Sequence, residues 1–348
     1  MLTREQVKKV KEHLEKAQNP VFFFDNDQDG LCSFLLLQRY IGRGKGVAIK
    51  SFPSMIPEYF RKVNELNADY IFILDKPLVS ESFFDEARKV NIPIVWIDHH
   101  KIDWKSAVPE FVDYYNPLLN KKKSNEPVTA LCYQISKKKE DMWLAMIGCI
   151  SDDFVPSFYK DFEKKYPDMS IKSKNAFDLL YKSEIGKIAR ILSFGLKDRT
   201  TEVVNMIRFL IKAKTPYEIL EENPKTQVLH KRFEYIESRY QRLLKKAITL
   251  GKKSNHVLFF KYGGDLSISS ELSNRLSYLF PKKFVVVAYL KGIKTNISGR
   301  GEKIRSPFLK TIEGFEGATA GGHENAVGAQ VKTEDIEKFS EKLKRNLD

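Results

Sequence analysis

In the stretch VFFFDNDQDG, residues 21 to 30, three aspartates stand at alternate positions behind an apolar run and in front of a glycine. If Asp25, Asp27 and Asp29 were ionised together they would repel one another. They need shared protons, a Lys or Arg partner, or a bound cation. More acids and imidazoles follow other apolar runs: Asp75 after YIFIL, Asp98-His99-His100 after IPIVWI, and Asp152-Asp153 after DMWLAMIGCIS. Oxygen-rich sites with one imidazole suit Mn2+ or Mg2+ better than zinc. An EF-hand calcium loop would place Glu at position 36, which is Leu here, inside an apolar run. Alone, DNDQDG reads equally as a solvent-facing turn; the recurrence of acids behind apolar runs is what carries information.

The elements that must position these groups follow from periodicity. Residues 3 to 17 predict a helix with Val7, Val10 and Leu14 on one face. PVFFF, VAIKSF, YIFIL and IPIVWI predict four buried strands, with helices over GLCSFLLLQRYI, PEYFRKVNELN and SESFFDEARKV between them. Strands alternating with helices at this spacing predict right-handed βαβ units and a parallel sheet. Ligands of open α/β sheets bind outside the carboxyl ends of the strands, where these acids and imidazoles fall. PVTALCYQISKK and DMWLAMIGCI predict buried helices, and further helical stretches fill residues 173 to 222. Residues 225 to 250 predict one long helix with Leu229, Phe233, Ile236, Tyr240, Leu243 and Ala247 along a seam. Its other faces carry Lys231, Arg232, Arg239, Arg242, Lys245 and Lys246, either a solvated surface or a nucleic-acid contact. After GKKSN, the strand candidates HVLFFKY, KFVVVAYL and AVGAQV and a helix over 333 to 346 predict a second α/β unit. The expected organisation is a domain over 1–222, a linker helix over 223–252 and a smaller α/β domain over 253–348.

The chain has 59 Lys and Arg against 45 Asp and Glu, a net charge of +14. Such a balance suits a polyanionic partner, or a lysine-rich surface tuned for solubility. Cys32, Cys132 and Cys149 show no CxxC spacing and suit buried thiols in a reducing compartment. The amphipathic N-terminus has no apolar signal core, and no apolar stretch is long enough to span a membrane. These features predict a soluble, cytoplasmic protein without a membrane partner.

DNDQDG, ILDKP, IDHH, GCISDDFVP and GGHENAVGAQV, in that order over about residues 20 to 332, resemble the motifs of the DHH phosphoesterase family. The match is to its RecJ-like branch, with the DHH-associated C-terminal domain. The resemblance implies Asp27 and Asp29 as metal ligands and Asp75 as the carboxylate bridging two Mn2+ (or Mg2+) ions. Asp29, His99 and Asp152 would complete one shell, and Asp27 with Asp25 or water the other. Asp75 and His100 are implied as catalytic, with His100 facing the phosphate. Asp98 is expected to be structural, and Asp153 to lie outside the ligand set. Arg300, Gly321, Gly322 and His323 are implied to bind substrate.

Two departures stand out. Some relatives place a ligand histidine where this chain has Phe23, so either Asp25 substitutes or one ion is held more weakly. ILDKP also sets Lys76 and Pro77 beside a metal ligand.

The implied activity is a two-metal exonuclease of single-stranded DNA, or RNA, that releases mononucleotides in repair or replication beside a helicase. The expectation is a compact form without an oligonucleotide-binding fold after the second domain, resembling archaeal RecJ-like proteins. This leans toward 3′-to-5′ polarity without fixing it. Two alternatives stand beside it: a phosphatase of short oligoribonucleotides or 3′,5′-bisphosphate nucleotides, and a non-catalytic replication scaffold.

Overall fold

Pro20–Asp25 is apolar until its last residue. In the computed structural model, which describes residues 1–51 and 54–347, it is the second strand of a five-stranded parallel sheet. It is labelled β1 here, with Lys45–Ile49 as β2, Tyr70–Leu74 as β3, Ile94–Ile97 as β4 and Val112–Tyr115 as β5. The spatial order is β2-β1-β3-β4-β5. A parallel sheet is covered on both faces, so alternate residues feed two separate cores. Phe22, Phe24, Phe72, Leu74, Val95 and Ile97 face one core. Val21, Phe23, Ile71, Ile73, Ile94 and Trp96 face the other. In this order the chain reverses direction across the sheet between β1 and β3, and that switch point opens a crevice at the strands' carboxyl ends. Asp25 closes β1 and Asp75 follows β3, so both stand at its mouth.

The helices of the first unit include α1 (Arg4–Lys16), α2 (Gln28–Ile41), α3 (Glu81–Lys89), α4 (Val128–Ser136), α5 (Met142–Ser151) and α6 (Glu184–Gly195). Thr3 caps α1 through a reciprocal capping box with Gln6. Helix α2 is buried almost all round, as its Leu31, Phe34, Leu35, Leu36 and Leu37 require, and packs against α4 and α5. Its Arg39 reaches the buried Asp141 carboxylate at 2.7 Å, tying the end of α2 to the start of α5. Helices α4 and α5 touch where α5 has Gly148: a Cβ there would lie 2.7 Å from Thr129 Cβ and nearer still to its hydroxyl.

The chain divides into two compact units, Met1–Phe233 and Glu234–Asp348, and the boundary lies inside the long helix α7 (Gln227–Lys253). Of the basic residues on that helix, Arg232 pairs with Asp198 in the first unit and Arg239 with Asp265 in the second. The second unit contains β6 (Val257–Gly263), α8 (Ser269–Leu279), β7 (Phe284–Lys291), β8 (Lys294–Arg300), α9 (Arg305–Ile312), β9 (Thr319–His323), β10 (Ala326–Lys332) and α10 (Ile336–Leu347). Its sheet runs β9-β10-β8-β7-β6, parallel between β6 and β7 and antiparallel elsewhere. Phe308 of α9 and Phe339 and Leu343 of α10 cover one face, packed on Val286, Ile297 and Val327. Among the described residues no helix is long and apolar enough to cross a membrane.

Among the described residues five strands were not expected: the two-residue pair Ser54–Met55 and Leu78–Val79, and β5, β8 and β9. β5 is a short edge strand, and β8 and β9 are rich in Gly, Asn and Ser, which lower strand propensity. The helix expected over residues 57 to 67 is a 3-10 turn, Pro57–Phe60, followed by Arg61–Glu65. The last residue of the expected second strand, Phe52, lies outside the described residues.

Gly148→Ala should destabilise the first unit by about 1–3 kcal/mol, because the added methyl displaces Thr129 and overpacks the helix contact. A lower urea midpoint with an unchanged slope would show it, and an unchanged midpoint would refute the close-approach account.

Candidate metal centre

Asp27 is the N-cap of α2, its Oδ1 accepting from the Gly30 N–H at 3.0 Å. Gly30 is needed there: a Cβ would fall 2.7 Å from the Asp25 nitrogen and closer still to its carbonyl oxygen. Asp29, in the first turn of α2, is buried and turned toward α4. Its Oδ2 accepts from the Val128 N–H at 2.9 Å and its Oδ1 from the Thr129 N–H at 2.7 Å, while the Thr129 hydroxyl donates to the Asp29 carbonyl. The N-terminus of α4 thus offsets part of the Asp29 charge. Asp25 Oδ1 lies 2.8 Å from the ammonium of Lys76, a side chain with no solvent exposure.

Asp75 directly follows β3 with φ +57°, a left-handed conformation uncommon for a residue with a side chain. Such outliers cluster at functional sites, where the surroundings must hold them. Its Oδ1 is 3.3 Å from His99 Nε2 and 3.9 Å from His100 Nδ1, and it has no hydrogen-bond partner among the described residues. His99 Nε2 is also 3.7 Å from Asp152 Oδ2, at the C-terminus of α5. One ligand atom each from Asp29, His99 and Asp152 lie within 4.8 Å of one another. The structure therefore brings Asp29, Asp75, His99 and Asp152 together from two strand ends and two helices, although more than a hundred residues separate the first from the last. Asp153 adopts φ +52° at the turn after α5.

His100 stands beside this set and is tied to Asp98. Its Nδ1 lies 2.7 Å from Asp98 Oδ1, and its backbone N–H donates to Asp98 Oδ2 at 3.2 Å. Asp98 is fully buried and also accepts from the Tyr114 hydroxyl at 3.1 Å. Asn116 Nδ2 donates to the His100 carbonyl and to the Tyr114 oxygen. Sequence reasoning missed Tyr114 and Asn116. Both belong to FVDYYNP, where Val112 and Tyr114 alternate before an Asn-Pro turn signal, the one cue that could have marked β5.

Charge follows geometry. Burial first, then the Asp29, Asp27 and Asp25 charges, push the Asp75 carboxyl well above the usual carboxylate range. Asp27 reaches solvent, yet its dense surroundings and then the charges of Asp25 and Asp29 raise it to about 8. Desolvation raises Asp152 to about 6, with His99 opposing the rise and Asp29 adding to it. Burial alone would lower His100, but the Asp98 charge and hydrogen bond outweigh it and carry the imidazole to about 9. Burial likewise works to raise Asp98, yet the His100 charge holds it below its ordinary value.

Burial and mutual repulsion thus raise the carboxyls of Asp27, Asp75 and Asp152, and Asp75 presents a buried oxygen with no hydrogen-bond partner among the described residues. An oxygen-rich set with one imidazole fits a hard divalent ion. His13, His230 and His256 serve the fold instead, against Tyr70 and Asp113, the Ile219 carbonyl and Phe284 respectively.

In the second unit, Arg300 and His323 stand opposite Ala326 on either side of it, one on β8 and one on β9. Residues directly opposite in antiparallel strands share a face, so the two project from the same side of the sheet. Arg300 Nε donates to Asn274 Oδ1 at 2.5 Å and its Nη2 to the Ser270 hydroxyl at 3.2 Å. Gly321 pairs with Gly328, and Gly322 takes φ +134°, a conformation open to glycine.

No family model matches the chain, and no curated relative matches it in sequence. Solved structures do share its fold. RecJ from Thermus thermophilus in complex with Mn2+ matches 99% of this chain at a TM-score of 0.69 and 14% identity, and this chain spans 54% of that longer one. A second structure of that RecJ, in complex with Mg2+, gives a TM-score of 0.58 at 15% identity, covering 99% of this chain and 52% of that one. An exonuclease RecJ bound to manganese matches 100% of this chain and 95% of its own length, with a TM-score of 0.66 and 15% identity. A DHH domain described as a member of the s1p family of ribosomal proteins matches 99% and 92% at 0.67 and 14%. The chain therefore shares the fold of these RecJ and DHH-domain structures, a five-stranded parallel-sheet unit followed by a smaller mixed-sheet unit.

Proposed function

We propose that this protein is a metal-dependent phosphodiesterase that removes nucleotides from an end of single-stranded DNA. One observation carries the proposal. Asp29, Asp75, His99 and Asp152 converge at the carboxyl rim of the parallel sheet, with ligand atoms of three of them within 4.8 Å of one another. The RecJ structures that share the fold hold Mn2+ or Mg2+. The residues fit such ions, which suit carboxylate-rich sites.

Asp29, Asp75 and Asp152 would hold such ions through carboxylate oxygens and His99 through its imidazole. Divalent ions bound there would ease deprotonation of an attacking water and offset charge on the phosphate oxygens. The chain's own residues do the rest. Asp98, Tyr114 and Asn116 fix the His100 ring and its backbone, so His100 stays cationic at neutral pH. With Nδ1 facing Asp98, Nε2 is the nitrogen that can donate to a substrate oxygen as charge develops. Arg300 and His323, on one face of the second sheet, suit a phosphate and a terminal base. The two glycines before His323 permit close backbone approach.

Asp75→Asn or His99→Ala should lower hydrolysis of a single-stranded oligonucleotide by about a hundredfold or more while leaving the circular dichroism spectrum unchanged. Loss of a group that only orients a ligand already costs about 10–100-fold. Oligonucleotides labelled at either end, in DNA and RNA versions, would give polarity and sugar preference from the product ladder. Either folded variant cutting at the wild-type rate would remove the assigned site.

The metal-free site should also show a pH signature. Asp27 is raised in the fold, so its stabilising contribution is complete below about pH 4 and lost as pH rises through about 8. The Asp152 contribution is lost through about 6, and that of His100 through about 9. Asp98 runs the other way, losing its contribution as pH falls into the carboxylate range. In chelator, the urea midpoint of the first unit should therefore fall steadily from about pH 6 to about pH 9. Mn2+ should restore it more at about pH 8 than at about pH 6, because ligands must shed protons to bind. A flat metal-free profile would contradict the crowding inferred here.

A further inference from the structure

The two sides of the acidic cluster differ. On one side stand Asp29, Asp75, His99 and Asp152. On the other, the carboxylate of Asp25 is already met by an ammonium from the neighbouring strand end, with Lys76 Nζ 2.8 Å from Asp25 Oδ1. The same nitrogen donates to the Ser51 carbonyl at 2.7 Å. The Lys76 side chain has no solvent exposure, whereas Asp25 keeps 27%. A lysine buried so completely stays charged only where carboxylate and carbonyl oxygens replace its water. The residue is also held by its backbone, since Trp96 Nε1 donates to the Lys76 carbonyl at 2.9 Å. Phe23, two residues before Asp25 and so on the same strand face, is buried edge-on to Phe83 and Tyr59. Around Asp25, then, the chain presents a hydrocarbon ring and a cation where a second ion would need lone pairs.

We propose that Lys76 is a resident counter-cation for the Asp25 side of the cluster. The substrate-free chain therefore takes up one divalent ion tightly, on the Asp29, Asp75, His99 and Asp152 side, and holds any second ion at least about tenfold more weakly. This rests on the metal-dependent function proposed above. The physical ground is simple: a dication and an ammonium competing for one carboxylate repel each other. Mg2+ and similar ions are often completed by substrate phosphates where the protein offers few carboxylates.

The test is Mn2+ titration of chelator-stripped protein by calorimetry, with electron paramagnetic resonance at saturation. Wild type should bind one ion in the tight phase and give an uncoupled Mn2+ spectrum. Lys76→Met should bind two with closer affinities and show exchange coupling between bridged ions. Lys76→Gln, which keeps a donor for the Ser51 carbonyl, should do the same and guards against a folding defect in the methionine variant. Melting curves establish that each is folded. Wild type taking two ions with equal affinity overturns this proposal and leaves the phosphodiesterase assignment standing, as do folded variants that still bind one. Wild type binding none overturns both.

Discussion

Repulsion among carboxylates at one rim of a sheet is the constraint that the first unit is organised around. Asp25, Asp27, Asp29, Asp75 and Asp152 share that rim, and the fold offsets each in a different way. Asp29 is served by two backbone N–H groups at the start of α4, Asp25 by the ammonium of Lys76, and Asp27 by one N–H of its own helix. Asp75 and Asp152 receive little from the protein beyond the His99 ring, and their carboxyls are pushed upward. The charge left unpaired is concentrated where the imidazole is, which is where a divalent ion gains most.

Holding that charge demands a rigid frame. The sheet order opens a crevice between β1 and β3, but strands alone supply only Asp25, Asp75 and the imidazoles. Asp29 and Asp152 come from α2 and α5, so their separation depends on how closely the helical layer packs. Gly148 sets that distance by letting α5 meet Thr129, the same residue whose N–H and hydroxyl bind Asp29. A packing contact and a ligand position are thus one feature. The left-handed backbone at Asp75 has the same logic, because a local conformational cost of about 1–3 kcal/mol is tolerated where the surroundings over-determine the residue.

Much of this frame was legible in the sequence. Continuous apolar runs marked β1, β3 and β4, and the acids behind them marked the rim, because a strand buried on both faces must end abruptly where it meets polar chemistry. The recurrence of those ends in a fixed order pointed to the fold that the RecJ structures share. What stayed illegible depended on partners distant in sequence. Nothing in the first motif says that Asp29 would cap a helix starting 99 residues later. Lys76 stood out in ILDKP as an odd neighbour for a ligand, but its pairing with Asp25 needs the adjacency of β1 and β3. β5 is four residues long, too short for alternation to be persuasive, and with it went Tyr114 and Asn116. In the second unit β8 and β9 failed on propensity, although Gly321 of β9 sits directly opposite Gly328 of the expected β10.

The acidic rim sits uneasily with a chain whose net charge is +14. A polyanion drawn by that net charge would meet, at the rim, several carboxylates, beside which stand the His100 and Lys76 charges. Lys76 is spent on Asp25 and buried, and His100 is tied to Asp98. The rim therefore disfavours a phosphate until a divalent ion reverses its local charge. Substrate and metal should then each raise the affinity for the other by the same factor, since coupling between two bound partners is reciprocal. On this argument the unpaired carboxylates act as a gate as well as a ligand set. Under the function proposed above, the net positive charge would draw nucleic acid near and the cation would decide whether its phosphate can enter.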